Sequence, residues 1–354
     1  RTMAQNDLTQ GSIIGNISRF SLPYMLSYFL QILYGLADMF VIGQYCGVDS
    51  TTAVANGAQI MHMFTVIIIG LAMGTTVRLG RAIGAKDKNE ASKTIGNTFT
   101  LFALTAIVAT FILLLANRSI VSMIDTPPEA VKGTIDYLRI CFIGIPFIIA
   151  YNIIASIFRG LGDSKSPMYF VIVACVANIA LDYIFIGHFG LGPSGAALGT
   201  TLSQMISVII AAIVIRKKSL LNISGQDLRP ERRTMAGILK IGVPVALQDG
   251  FIQIAFIAIT AIANGRGLND AAAVGIVEKF IGLLFIVPSA MLATVSAIAA
   301  QNIGAKKPER ARKTMEYAIA ISVGFGTIAA VTLQFIPEYA VRIFTSDSTV
   351  ITLG

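Results

Sequence analysis

Two aspartates stand where an apolar chain should carry none. Asp38 lies inside the run 21–43 and Asp182 inside the run 167–187, each among Leu, Ile, Phe and Ala. A charge at the centre of a bilayer costs at least ~2.5–3.5 kcal/mol, so an acid kept there is functional by default. Asp38 comes about sixteen residues into its run and Asp182 about fifteen into its own; at ~1.5 Å per residue the two carboxyl groups reach a similar depth. Asn178 precedes Asp182 by four residues and shares its helix face. Two carboxylates and an amide at one level can hold a proton, since apolar surroundings and a second acid both favour a neutral carboxyl. The same oxygens can hold a sodium ion. The plainer alternative is that each acid only bonds a neighbouring helix; matched depth favours the shared site.

Other polar residues in the apolar runs are candidates for a substrate cavity. Tyr34 is one turn before Asp38, on its face, and Asn152 follows Pro146 in the fourth run. Gln248 and Asp249 lie in the seventh. An aromatic ring beside a carboxylate suits an amphipathic cation, and the 12 methionines offer an adaptable lining besides their ordinary packing role. Glu278 and Lys279 are neighbours in a helix and point ~100° apart, so each is expected to pair structurally with another helix.

Enzyme chemistry finds little support. Gly190–Gly195 (GLGPSG) fits GxGxxG by spacing, but Pro193 removes a donor and no βαβ context surrounds it; it reads as a tight turn. His62 and His188 are isolated, without metal-ligand spacing, and Cys46, Cys141 and Cys175 form no CxxC pair. No catalytic residue, metal site or cofactor is expected, only a coupling ion, H+ or Na+.

The elements that must position these residues are membrane helices. Of 354 residues, 55% are hydrophobic and only 13% charged, against roughly 25% charged in soluble domains. Runs long enough to cross a bilayer, ~20 residues each, fall near 21–43, 53–77, 95–116, 134–158, 167–187, 195–215, 241–263, 271–300 and 314–336. They are continuous rather than alternating, which excludes a β-barrel. Of the 27 Lys and Arg, 21 fall in loops on the side of the N-terminus. Four (Arg118, Lys132, Arg266, Arg342) fall on the other side. Arg139 and Lys279 lie in the runs. Basic loops stay inside, so the N-terminus is expected in the cytoplasm and the chain in the cell membrane. The +8 net charge then needs no nucleic acid partner.

The chain also repeats itself. Gly84–Thr94 (GAKDKNEASKT) matches Gly304–Thr314 (GAKKPERARKT), and Pro23 in the first run falls close to Pro244 in the seventh. A six-span repeat keeps both copies in one orientation, with an axis along the membrane normal. The expected fold is an all-α polytopic membrane protein of two parallel-repeat bundles, six helices plus three of an expected six. Residues 1–215 form the first lobe, 216–240 a basic cytoplasmic linker, and 241–354 a partial second lobe. Secondary transporters are commonly built so.

Three stretches make the expectation specific: Leu30–Gly43 (LQILYGLADMFVIG), Phe158–Pro167 (FRGLGDSKSP) and Asn178–Gln204 (NIALDYIFIGHFGLGPSGAALGTTLSQ). With these the chain resembles the multidrug and toxic compound extrusion (MATE) transporters, in their DNA-damage-inducible-F-like bacterial branch, cut after about nine of twelve helices. The resemblance implies export of cationic or amphipathic small molecules in exchange for protons or sodium ions, by alternating access of two lobes and as a monomer. It carries cation coupling onto Asp38, Asn178 and Asp182, and places Tyr34 in the first lobe's cavity. The seventh-helix glutamate of another branch is not evident; Asp249 stands nearby. Rival readings are a lipid-linked oligosaccharide flippase, which wants a strongly cationic cavity, and a membrane interaction protein that moves nothing.

Overall fold

The computed structural model describes residues 7–124, 126–218, 224–342 and 348–353. Arg1, counted above with the inner loops, and residues 219–223 of the linker lie outside them. Among the described residues every regular element is helical: α1 (Ile13–Tyr45), α2 (Val48–Gly84), α3 (Lys88–Met123), α4 (Pro128–Ile143), α5 (Ile145–Gly160), α6 (Lys165–Asp182), α7 (Gly192–Lys218), α8 (Arg232–Arg266), α9 (Leu268–Leu284), α10 (Ile286–Gly304), α11 (Pro308–Phe335), α12 (Pro337–Arg342) and α13 (Ser348–Leu353). Eight helical spans are long and apolar enough to cross a bilayer, or up to nine if the bent pair α4 and α5 is one span. These correspond to the nine runs.

Three spans are not straight rods. Between α4 and α5 the axis turns by 51° at Gly144, because Pro146 two residues later has no N–H to continue the ladder. The eighth span breaks at Phe285, between α9 and α10, shortly before Pro288. A π-helical turn, Tyr183–His188, follows α6 directly. Of the Gly190–Gly195 stretch only Gly190 and Leu191 lie in a turn, since α7 begins at Gly192; φ is +66° at Gly190 and +54° at Gly192, values that glycine adopts without a steric penalty.

The two copies of the repeat end their helices in the same way. After α2, the Ala85 amide bonds Arg81 O at 2.9 Å and the Asp87 amide bonds Ala82 O at 3.0 Å. After α10, Ala305 bonds Gln301 O at 2.9 Å and Lys307 bonds Asn302 O at 2.8 Å. Lys86 and Lys306 share a left-handed φ of 57°. The copies also touch each other reciprocally. A Cβ on Gly84 would strike the Gln301 backbone, and one on Gly304 would strike the Arg81 backbone.

Small residues let the halves approach along α2. A Cβ at Gly70 would lie 2.7 Å from the Ala246 Cα, one at Gly74 would meet Ile238 O, and one at Gly80 would sit 3.0 Å from the Ala300 Cβ. In lipid no expulsion of water drives helices together, so close van der Waals contact and interhelical hydrogen bonds must do it. Those polar contacts gather at the N-terminal end of the molecule. Gln301 Nε2 donates to Gly160 O at 3.0 Å, Asn302 Nδ2 to Leu8 O at 3.3 Å, and Arg310 to Gln10 O at 2.8 Å. Towards the opposite end the approach loosens: at Gly250 an added Cβ meets only Ile67, at 3.8 Å, and Phe251, Ile254 and Ile262 beyond it are exposed.

The non-helical part of the 216–240 segment is shorter than the composition implies, since α7 runs to Lys218 and α8 starts at Arg232. Its described residues are held rather than loose. Asn97 Nδ2 donates to Asp227 O at 3.2 Å, Thr100 Oγ1 to Leu228 O at 2.7 Å, and the Glu231 amide to Asn97 Oδ1 at 2.7 Å.

Candidate functional site: a carboxylate pair behind a tyrosine-lined cavity

Helix α1 carries Tyr28, Gln31, Tyr34 and Asp38 at steps of three and four residues, which places them on one face. That face lines a cavity of about 310 Å³ within the first six spans, large enough for a small ligand. Met61, His62, Tyr137, Tyr151, Asn152 and Thr200 complete much of the wall.

Asp38, 6% exposed, sits in that wall, and the Thr200 hydroxyl donates to its Oδ2 at 3.3 Å. Asn178 and Asp182, both buried, lie behind it, close enough to interact with its carboxyl group. Asp182 is the last residue of α6, just before the π-helical turn; such turns collect at functional sites. Helix α7 passes tightly against it: a Cβ at Gly199 would collide with Asp182 Oδ1. Glycine at this position therefore makes the room that the buried carboxyl group occupies.

The polar atoms of this cluster are mostly unsatisfied. Asp38 Oδ1, both carboxyl oxygens of Asp182 and both amide atoms of Asn178 are buried without a hydrogen-bond partner. Two adjacent acids cannot both stay charged in such a place without compensation. A proton or a small cation relieves the arrangement; further apolar packing would not.

The remaining candidates divide. Tyr34 and Asn152 line the cavity, although Asn152 Nδ2 is engaged by Ile148 O in its own helix at 2.8 Å. Gln248 and Asp249 do not line it. They sit on α8 across the gap, Gln248 exposed and Asp249 half-buried, with Asp249 within electrostatic reach of Tyr28. Glu278 is held by Thr260 Oγ1 at 2.7 Å, the cross-helix pairing expected of it, while Lys279 is exposed. Among the described residues no group of three His, Cys, Asp or Glu is placed to hold a metal, and the three cysteines are free thiols.

Several residues of the site carry no signal of their own in the sequence. Thr200 and Gly199 are ordinary residues of an apolar helix until the fold sets them against Asp38 and Asp182. Tyr137 and His62 reach the same wall from α4 and α2. Arg159, just past the run 134–158, is one of the 21 basic residues assigned from the sequence to loops on the N-terminal side. It instead ends α5, and its guanidinium carbon stands 5.6 Å from the centre of the Tyr24 ring.

Membrane-spanning helices in two repeated sets, with an unsatisfied acid pair beside an open cavity, define a polytopic membrane protein of the secondary-transporter class. A family model described as MatE matches residues 23–184 and 244–354, and the chain belongs to that family. The two matches begin on Pro23 and Pro244, the helix-interior prolines of α1 and α8.

Among relatives, the probable multidrug resistance protein YoeA of Bacillus subtilis is 27% identical over 344 residues, covering 95% of this chain and 74% of that protein. The probable multidrug resistance protein NorM of Thermotoga maritima is 25% identical over 340 residues, 95% of this chain and 73% of its own length. A multidrug resistance MATE family transporter solved in an outward-facing conformation superposes with a TM-score of 0.87 at 26% identity, over 98% of this chain and 77% of that one.

Proposed function

We propose that the protein exports cationic or amphipathic small molecules across the cell membrane in exchange for protons or sodium ions, by alternating access of its two helical halves. The observation that carries this reading is the buried Asp38–Asp182–Asn178 cluster, short of partners and reached from the cavity through Asp38. Asp38 is where the exchange takes place. In its charged form it attracts a cationic substrate; once it takes up a proton, or once a sodium ion is bound between the two acids, that attraction is lost. Asp182 and Asn178 sit one layer back and share the proton or the ion. One negative site that serves either cargo or coupling ion, but not both, is the elementary requirement of an exchanger.

The bias of basic residues towards the N-terminal side supports a cytoplasmic N-terminus. With that orientation the halves are fastened at the cytoplasmic end and part towards the outside, an outward-facing state. Return to the inward-facing state requires the contacts around Gln301, Asn302 and Arg310 to open. The protein acts as a monomer, because cavity and acid cluster are complete within one set of helices.

Reconstitution in vesicles tests the reading. An imposed proton or sodium gradient is expected to drive a fluorescent lipophilic cation across the membrane, and dissipating that gradient is expected to stop it. Substrate movement indifferent to both gradients would reject coupled exchange.

A further inference from the structure

Beside the main cavity lies a smaller recess, lined by Tyr24, Ser27, Ser164 and Arg159 among others. Tyr28, Gln31, Tyr151 and Asn152 line both spaces, so the recess, of about 30 Å³, adjoins the main cavity on the side of the N-terminal end. Tyr24 and Asp38 stand on the same helix fourteen residues apart, which separates their backbones by ~21 Å along its axis. The two adjoining spaces therefore have a carboxylate near one end and a guanidinium at the other.

Among the described residues Arg159 forms no salt bridge. The nearest acid in sequence, Asp163, is occupied: its Oδ1 accepts from the Lys165 and Ser166 amides at 2.9 and 3.0 Å, and its Oδ2 from the Ser166 hydroxyl at 2.6 Å. A basic residue at the end of α5 complements the helix dipole, and that alone explains a positive charge. It does not explain a planar cation laid over a tyrosine ring in the wall of a recess, among hydroxyl and amide groups. Arginine presents paired N–H donors that match a carboxylate, whereas lysine offers a point charge.

We propose that Arg159 is the anion-binding pole of this cavity and that the preferred cargo is an elongated zwitterion, with its amine at Asp38, its apolar body along the tyrosines and its carboxylate at Arg159. The proposal rests on the reading of Asp38 as the cation pole.

Binding to the protein in nanodiscs, with empty discs subtracted, tests it separately from transport. The probes are radiolabelled aminododecanoic acid, its methyl ester, and the short aminohexanoic acid. The long acid is expected to bind about tenfold or more tightly than its ester, as a charge-assisted hydrogen-bonded contact implies. The short acid, unable to reach both poles, should gain little over its own ester. Arg159→Gln should erase the advantage of the long acid while leaving the ester unchanged, and Arg159→Lys should restore part of it.

Equal binding of acid and ester by the unaltered protein overturns the proposal and leaves the exporter reading standing. So does an acid preference that survives Arg159→Gln. Arg159-dependent binding of the acid with no gradient-driven movement upholds the proposal and sinks coupled export instead.

Discussion

Asp38 and Glu278 are both acids inside apolar spans, and the structure treats them differently. Glu278, in the second set of helices, receives a 2.7 Å hydrogen bond from Thr260 of the adjacent span. Asp38, in the first, has one 3.3 Å contact from Thr200, a second acid at its back and an oxygen with no partner. A membrane-depth carboxylate that is bonded by its neighbour has a structural explanation. One left short of partners beside a cavity lacks that explanation, and the coupling role proposed for it supplies one. The contrast separates two roles that composition alone cannot distinguish.

Five substitutions test this contrast. The largest effect is expected at the cluster. Asp38→Asn or Asp182→Asn should lower gradient-driven efflux to that of protein-free vesicles while the protein still reaches the membrane; efflux near the unaltered rate from Asp38→Asn rejects its role. Next comes the seam between the halves. Gly84→Leu forces a side chain into the Gln301 backbone, and overpacking of this kind costs about 1–3 kcal/mol, visible as a lower melting temperature in detergent.

Glu278→Gln keeps an acceptor for Thr260 and should cost no more than ~1 kcal/mol, with efflux retained. Loss of efflux there would show that the second set of helices also handles ions. The smallest effect belongs to Lys93→Gln. Its 3.9 Å contact to Glu231 joins two side chains each 41% exposed, so stability should move by less than ~0.5 kcal/mol.

How much of this was legible in the sequence follows from what each feature costs. Nine spans could be read because an apolar run of bilayer length has few alternatives, and the paired turns because Gly-Ala-Lys recurs at a fixed offset. Asp38, Asn178 and Asp182 stood out because charge is expensive at membrane depth, and helix periodicity put Asn178 and Asp182 on one face. Thr200 and Gly199 gave no such warning: a hydroxyl can satisfy itself on its own helix, and a glycine in a span has many uses. Pro146 hinted at the bend between α4 and α5, whereas the π-helical turn after Asp182 left no residue-type signature. Arg159 was misplaced because it sits at the border of a span, where charge balance counts it as loop. Gln248 and Asp249 stood out by polarity alone, which says nothing of their place on α8, across the gap from the first-lobe cavity.

The reciprocal contact between the two Gly-Ala-Lys turns has a historical consequence. Each turn packs on the stretch that corresponds to its own flank in the other copy, which is how identical subunits meet across a twofold axis. A pair of unfused six-span chains would already have owned this seam, and any substitution in it would have been felt on both sides at once. Two copies within one polypeptide are free of that restriction. Arg81 and Gln301, at equivalent places, are different residues, and of the two Gln301 reaches across to bond Gly160.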